Sequence, residues 1–167
     1  MNIRVLFVIL GSLVISPVIA FQNEPDGFRG IKWGSDFSAH EKEMSLAEKG
    51  KSENYYLRKN DKMAIGGAEL KYLVYGYWKG KFTSVFMLTT GASNKSALIR
   101  AFQTQFGSGV KPNQFLDEYV WRGAATSISL KCDAIGEKCQ VFLFSTELLA
   151  KQNEENKKAA EKASGDF

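Results

Sequence analysis

The apolar residues in the middle of the chain alternate with a period of two, which is the pattern of β-strands. Residues 69–78 and 82–90 are rich in aromatic and branched side chains, and a Lys-Gly-Lys segment at 79–81 joins them. Glycine adopts the positive φ of a tight turn at little cost. The segment therefore predicts a β-hairpin.

The two faces of this hairpin are both apolar. Strict alternation places Phe82 on the same face as Phe86 and opposite Val85. A sheet with two apolar faces needs cover on both sides, because an extended apolar surface left in water marks an interaction site or an aggregation hazard. One helix cannot supply that cover alone.

Two segments have the apolar spacing that is typical of helices. Residues 36–48 show an apolar face, and Ser35 or Asp36 would serve as the N-cap. Residues 93–106 have a clearer pattern. Their apolar side chains recur at helical intervals: Leu98, Ile99, Phe102 and Phe106.

Shorter alternating segments predict the remaining strands. Residues 55–58 and 63–65 form one predicted hairpin around a Lys-Asn-Asp-Lys turn, and residues 126–132 and 139–145 form the last one. Single strands follow the same pattern at residues 28–33 and 118–121.

The end of the chain, residues 148–167, is rich in lysine, glutamate and alanine and has no apolar stripe beyond Leu149. It predicts either a solvated helix that frays or a disordered tail. Together the elements predict an α+β fold, an antiparallel sheet of about six strands with one or two packed helices. Residues 21–147 are expected to form a single domain.

Residues 1–20 have the three-part layout of a secretory signal peptide. A short positively charged start precedes an apolar run that is too short to cross a bilayer comfortably, and small side chains precede Phe21. The alternatives are a membrane anchor or a buried N-terminal helix. The signal peptide predicts a bacterial periplasmic or secreted protein, and Phe21 in place of a cysteine offers no site for a lipid anchor.

The charge of the chain excludes one class of partner. With 22 basic and 18 acidic residues the formal net charge is +4, and the basic residues are scattered along the sequence. Nucleic-acid-binding domains concentrate their lysines and arginines on one face. We therefore expect no nucleic-acid partner, and we expect no stable membrane insertion once residues 1–20 are removed.

The two cysteines, Cys132 and Cys139, predict a disulfide, because an even number in an exported chain forms pairs. If they face each other across the last hairpin, Leu130 pairs with Val141, and the sulfur and aliphatic side chains share one face. Such a bond would stabilise the fold by about 2–3 kcal/mol. The alternative, a redox pair, normally has two intervening residues.

Catalytic groups are scarce. His40 is the single histidine, lies beside acidic residues and has no companions for a zinc site or a triad. Asp117 and Glu118 are the carboxylates that could act in an enzyme, with a solvated strand edge as the alternative. We predict no cofactor and no metal.

The best candidates for a binding surface are aromatic residues that lie beside basic residues near turns. Tryptophan and arginine are enriched at interfaces, although a tryptophan before a turn also covers the end of a core. The predicted binding residues are Trp33, Trp78, Lys79, Lys81, Trp121 and Arg122.

Residues 78–85 and 121–128 have similar sequences. This similarity indicates either two turns with the same requirements or an ancient duplication in which helix 36–48 corresponds to helix 93–106.

Three short motifs resemble one family. They are Gly-Phe-Arg-Gly-Ile-Lys-Trp-Gly at 27–34, Tyr-Gly-Tyr-Trp-Lys-Gly at 75–80, and the segment from Phe106 to Asn113. They resemble a group of small, exported, uncharacterised bacterial proteins, and the resemblance implies no known activity. More remotely, the order of helix and hairpin is similar to that of small envelope-assembly lipoproteins, whose lipid-bearing cysteine this chain lacks.

Three hypotheses about function remain. The first is a non-enzymatic periplasmic or secreted binding protein, an inhibitor, immunity or envelope accessory factor whose partner is another envelope protein or polymer. The second is an enzyme that acts on envelope polymers through carboxylates. The third is a self-associating structural protein, in which a homodimer covers the second apolar face.

Overall fold

A computed structural model describes residues 20–133, 135 and 137–164 of the chain. The predicted signal peptide lies outside the described residues except for Ala20, and so do the last three residues of the predicted tail. In the described part of the chain, no helix is long and apolar enough to cross a membrane.

The fold is α+β, as predicted, and its centre is one antiparallel sheet of seven strands. Two small hairpins, β1–β2 (Gly27–Phe28, Ile31–Lys32) and β5–β6 (Ala64–Ile65, Ala68–Glu69), flank it. The seven strands are β3 (Met44–Lys49), β4 (Glu53–Arg58), β7 (Tyr72–Trp78), β8 (Lys81–Thr89), β9 (Asp117–Arg122), β10 (Thr126–Cys132) and β11 (Cys139–Ser145). Their order across the sheet is β3-β4-β7-β8-β11-β10-β9. The helices are α1 (Ala92–Phe106) and α2 (Thr146–Ser164).

One face of the sheet carries the core. On this face, a row of cross-strand partners runs from β4 to β9: Tyr56, Tyr75, Val85, Leu143, Ile128 and Trp121. Leu98 and Phe102 of α1 and Ile31 of β2 are buried in the same cluster. The helical spacing that predicted α1 is therefore confirmed, because these residues supply its buried side.

The central hairpin β7–β8 is confirmed, with Lys79 at φ 50° and Gly80 at φ 75° in a two-residue turn. Such turns match the twist of the strands they join. The predicted position of Phe82 is wrong. The register shifts after Gly76, so Thr83 is an extra residue and Phe82 returns to the core face with Val85. A β-bulge of this kind reverses the alternation that the prediction assumed.

The last hairpin has the predicted register. Cys132 lies opposite Cys139 and Leu130 lies opposite Val141, and the two cysteines form a disulfide. The sulfur atoms are buried on the core face together with the aliphatic side chains of both strands. The predicted disulfide is confirmed.

The predicted helix over residues 36–48 is wrong. The segment forms two short 3-10 turns, Phe37–Ala39 and Glu41–Glu43, and then enters β3. Phe37 packs against Tyr56 and Tyr77 with ring centroids 4.4 and 5.2 Å apart. These long-range contacts and the pairing of β3 with β4 outweigh a weak local helical pattern. The duplication hypothesis matched a helix at 36–48 with the helix at 93–106, and the first of these helices is absent.

The predicted hairpin of residues 55–58 with 63–65 is also wrong. β4 pairs instead with β3 and β7, and β5 turns back on β6. Asp61 accepts hydrogen bonds from the Arg29 guanidinium and the Tyr75 hydroxyl, both at 2.5 Å. This polar cluster holds the loop after β4 against β1–β2 and β7, so the chain does not return along β4.

The C-terminal segment is helical as far as Ser164. Of the two alternatives, a helix or a disordered tail, the described part of the tail is a helix. The helix α2 begins directly after β11, where Ser145 Oγ accepts from the Leu148 N–H at 3.3 Å. The Thr146 hydroxyl donates to the Gly123 carbonyl at 3.1 Å and so ties this end of the helix to the turn between β9 and β10. Farther along, Glu155 forms an ion pair with Lys79 at the β7–β8 turn. These contacts place α2 across the second face of the sheet.

Candidate functional site

The second face of the sheet and α2 enclose an apolar groove. Its deeper part, which we call the α2 groove, has a volume of about 370 Å³. Strands β4, β8, β10 and β11 form its floor and α2 forms one wall. The lining residues are Glu53, Tyr55, Thr83, Ser84, Phe86, Ser129, Phe142, Phe144, Leu149 and Gln152.

One carboxylate lies on this apolar floor. Glu53 of β4 accepts hydrogen bonds from the Tyr55 hydroxyl at 2.9 Å and the Ser84 hydroxyl at 2.8 Å. The Thr83 hydroxyl is a third contact of the same carboxylate and also lies 3.0 Å from the Gly76 carbonyl oxygen. Three hydroxyl groups from two strands therefore fix the position of one anionic group.

Gly76 leaves the space that the carboxylate occupies. It pairs with Tyr55 on one side and Ser84 on the other, in the middle of the sheet. A β-carbon at Gly76 would lie 2.5 Å from the Glu53 Oε1 atom and 2.1 Å from the Ser84 Oγ atom. The glycine and the bulge beside it thus let a charged side chain from β4 lie directly over β7.

The site is acidic although the protein is basic. In the described part of the chain, Glu53 takes part in no ion pair. Burial, the largest cause, and the negative charge of Glu53 raise the pKa of Tyr55 well above its usual range. The Tyr55 hydroxyl therefore keeps its proton and remains a donor to Glu53.

A second, more open section continues the groove past Tyr55 and has a volume of about 340 Å³. Phe86 and Phe142 line both sections, and their ring centroids are 4.7 Å apart. Phe142 remains 45% exposed, so α2 covers this face only in part. The open section adds four residues to the lining: Glu48, Tyr72, Val74 and Gln140.

Of the three predicted tryptophans, Trp121 lies in the core and Trp33, which is half-buried, packs against the core. Trp33 stacks on Phe82 at 4.8 Å, and its indole nitrogen donates to the Thr126 hydroxyl at 2.7 Å. Trp121 is 2% exposed and donates to the Gly107 carbonyl at 3.0 Å. Gly109 is needed beside it, because a β-carbon there would lie 2.8 Å from the Trp121 ring.

The predicted residues of the β7–β8 turn lie near the groove. Trp78 is the cross-strand neighbour of Glu53 and is 8% exposed. The Lys79 ammonium lies 4.9 Å from the centre of the Trp78 ring and pairs with Glu155 of α2. Lys79 thus links the β7–β8 turn to α2, and Trp78 lies beside this ion pair.

The other two predicted residues lie apart from this contact. Lys81 pairs with Asp36 at 2.7 Å on the surface. Arg122 lies on the groove face of β9, three strands from Ser84, and is exposed. The structure therefore does not bring the six predicted residues together in one site.

The carboxylates considered for catalysis do not face each other. Asp117 pairs with Lys95 at 2.8 Å, whereas Glu118 pairs with Lys131 at 2.5 Å. As neighbours on one strand they point to opposite faces of the sheet. The residues that the structure describes contain no cluster of histidine, cysteine or carboxylate groups that could hold a metal ion.

The residues at the centre of the groove were missed in the sequence. One signal was present: Gly76 interrupts an otherwise aromatic strand, and an isolated glycine there indicates a bulge or a close approach of another group. A second signal was the apolar second face of the sheet, which required cover. No local pattern connects Glu53 with Ser84, because the two residues are 31 positions apart in the sequence. Their contact depends on the pairing of β4 and β8 with β7.

Comparison of the chain with protein-family models, with curated proteins and with solved structures finds no match. The resemblance to a group of small exported bacterial proteins stays a prediction.

Proposed function

We propose that this chain is an exported, non-enzymatic binding protein that holds a small, largely apolar ligand in the α2 groove. The observation that carries the proposal is the arrangement of the groove itself. Aromatic and aliphatic side chains form its walls, and one carboxylate, fixed by three hydroxyl groups, lies on its floor.

The size and lining of the groove support a small ligand. Binding sites for small molecules have volumes of roughly 300–1,000 Å³, mostly apolar walls and a few polar groups that fix orientation. The deeper section, at about 370 Å³, falls within this range. The exposed Phe142 lies at the junction of the two sections, where an incoming ligand would cover it.

The polar groups support binding more than catalysis. Ser84 donates to Glu53, and the single histidine of the sequence, His40, pairs with Glu43 at 2.9 Å. A serine nucleophile needs a base that removes its proton, and histidine is the commonest one. Ser84 and Glu53 therefore act as a fixed polar anchor in this proposal.

Export is supported by the disulfide, since such bonds persist in oxidising compartments. A periplasmic or secreted location, with delivery by residues 1–20, is part of the proposal. An envelope protein or polymer as partner, and a homodimer, stay predictions about what else binds the protein.

Replacing Phe142 with alanine is expected to weaken binding of a neutral apolar fluorophore, 1-N-phenylnaphthylamine, about tenfold, the equivalent of 1.4 kcal/mol. The reason is that Phe142 and Phe86 form the joint wall of both sections. Fluorescence titration of the chain from Phe21 onward measures the affinity.

Phe115→Ala is the matched control, because Phe115 is 85% exposed and does not line the groove. Its affinity should equal that of the unmodified chain. The absence of saturable binding to the unmodified chain, or equal losses in both variants, would contradict the proposed function.

A further inference from the structure

We infer that the ligand of the α2 groove is a small cationic amphiphile, an ammonium group on an apolar chain, whose charge lies against Glu53. The inference rests on the proposed function and adds the chemical class of the ligand. Three features of the groove carry it: the balance of charge in its lining, the geometry of the carboxylate and the aromatic rings around it.

The lining concentrates negative charge in a protein with an excess of positive charge. The whole chain has 22 basic and 18 acidic residues. Among the described residues, the two sections of the groove are lined by Glu53 and Glu48 and by no lysine or arginine. An anionic ligand would meet two like charges there, whereas a cation would meet two charges of opposite sign.

Among the described residues, neither Glu53 nor Glu48 forms an ion pair, unlike other carboxylates of the sheet. Glu118 lies on the same face and pairs with Lys131, and Asp117 pairs with Lys95. A carboxylate beside apolar surface loses hydration, and an opposite charge restores part of that free energy. No described ion pair supplies such a charge to Glu53, and a cationic ligand would supply it.

The Glu53 carboxylate has room for one more polar or charged contact. A carboxylate offers roughly four lone-pair positions on its two oxygen atoms. The Oε1 atom contacts the Thr83 and Ser84 hydroxyls, whereas the Oε2 atom accepts only from Tyr55. A positively charged group that entered the groove can therefore interact with Oε2 while the three hydroxyl contacts stay in place.

The aromatic rings match the same ligand. Tyr55, Phe86 and Phe142 are shared by the two sections, so they border the position where the head group would lie. A cation within about 6 Å of an aromatic ring centre gains about 0.5–2 kcal/mol. The apolar chain would extend toward Phe144 and Leu149, beneath α2.

A series of ligands with the same alkyl chain tests the inference. Decyltrimethylammonium, decyl maltoside and decyl sulfate, each below its critical micelle concentration, are compared by calorimetry and by displacement of 1-N-phenylnaphthylamine. We expect the cation to bind at least about tenfold more tightly than the sulfate. In Glu53→Gln this ratio should fall to about threefold or less, because the charge of the anchor is gone.

Glu118→Gln is the control, because it removes the same charge from the same face of the sheet outside the groove. It should keep the preference for the cation. Glu48→Gln, at the open section, should reduce the preference by a smaller factor than Glu53→Gln. Circular dichroism verifies that each variant folds. If a variant does not fold, the ligand series on the unmodified chain still tests the inference.

The outcomes separate the two proposals. Equal affinity for all three ligands, with saturable binding of the neutral fluorophore, overturns the inference and leaves the proposed function in place. No saturable binding of any of them contradicts the proposed function. A concentration-dependent dimer that Phe142→Ala dissociates, and that the cation does not disrupt, would assign the groove to a second copy of the chain and overturn the inference.

Discussion

Replacing Phe82 with alanine is expected to lower the free energy of unfolding by about 4 kcal/mol. Phe82 is fully buried, and its ring lies 4.8 Å from that of Trp33 and 5.4 Å from that of Tyr77. The substitution leaves a cavity between the N-terminal segment and the sheet, where the surrounding rings can relax only in part. Urea-induced unfolding, followed by tryptophan fluorescence, measures the change.

Phe115→Ala provides the matched comparison, since the same atoms are removed from a side chain that is 85% exposed. Its free energy of unfolding should stay within about 0.5 kcal/mol of the unmodified value. A loss of less than 1 kcal/mol for Phe82→Ala would mean that Phe82 lies with Phe86 on the second face of the hairpin, as strict alternation had predicted. The register of β7 with β8, in which Thr83 is the extra residue, would then be incorrect.

Replacing Gly76 with alanine is expected to lower the free energy of unfolding by about 2 kcal/mol and to remove the preference for a cationic ligand. The added β-carbon would come within 2.1 Å of Ser84 Oγ and 2.5 Å of Glu53 Oε1. Both atoms lie at the ends of side chains, which can rotate away from the added β-carbon. The protein should therefore fold, but with the Glu53 carboxylate displaced from its hydroxyl donors. Unfolding curves and the decyl ligand series measure the two effects.

The same substitution in a background of Glu53→Ala and Ser84→Ala is the control. The atoms nearest to the added β-carbon are then absent, and contacting residues show such non-additive effects in mutant cycles. There Gly76→Ala should cost less than about 0.5 kcal/mol. If Gly76→Ala lowered the free energy of unfolding equally in both backgrounds, the glycine would be required by the backbone conformation and not by the space that the carboxylate occupies.

The elements that local pattern specifies could be predicted from the sequence. The β7–β8 and β10–β11 hairpins have short turns and strong alternation, and their cross-strand partners lie close in sequence. The helix α1 has apolar residues at helical spacing, and Leu98 and Phe102 are buried. In each case the local pattern and the tertiary packing agree.

The errors occurred where distant contacts decide the structure. Residues 36–48 become turns and a strand because Phe37 packs on Tyr56 and Tyr77. The loop after β4 is held by Arg29, which precedes Asp61 by 32 positions. Neither contact leaves a periodic signal in the local sequence.

The groove could be predicted only in outline. The apolar second face of the sheet required cover, and one helix could not supply the cover of both faces. The anchor itself could not be predicted, because Glu53, Gly76 and Ser84 belong to three strands whose register depends on the bulge. Tryptophans near turns were predicted as binding residues instead, but Trp121 lies in the core and Trp33 packs against it.

The most direct test of a ligand site in the α2 groove is an amide NMR titration of the isotope-labelled chain with decyltrimethylammonium. The proposal predicts saturable shifts that cluster at the groove, in Tyr55, Ser84, Phe86, Phe142 and Leu149. The exposed loop that contains Phe115 should not respond. Shifts confined to that loop, or linear shifts without saturation, would contradict the proposal.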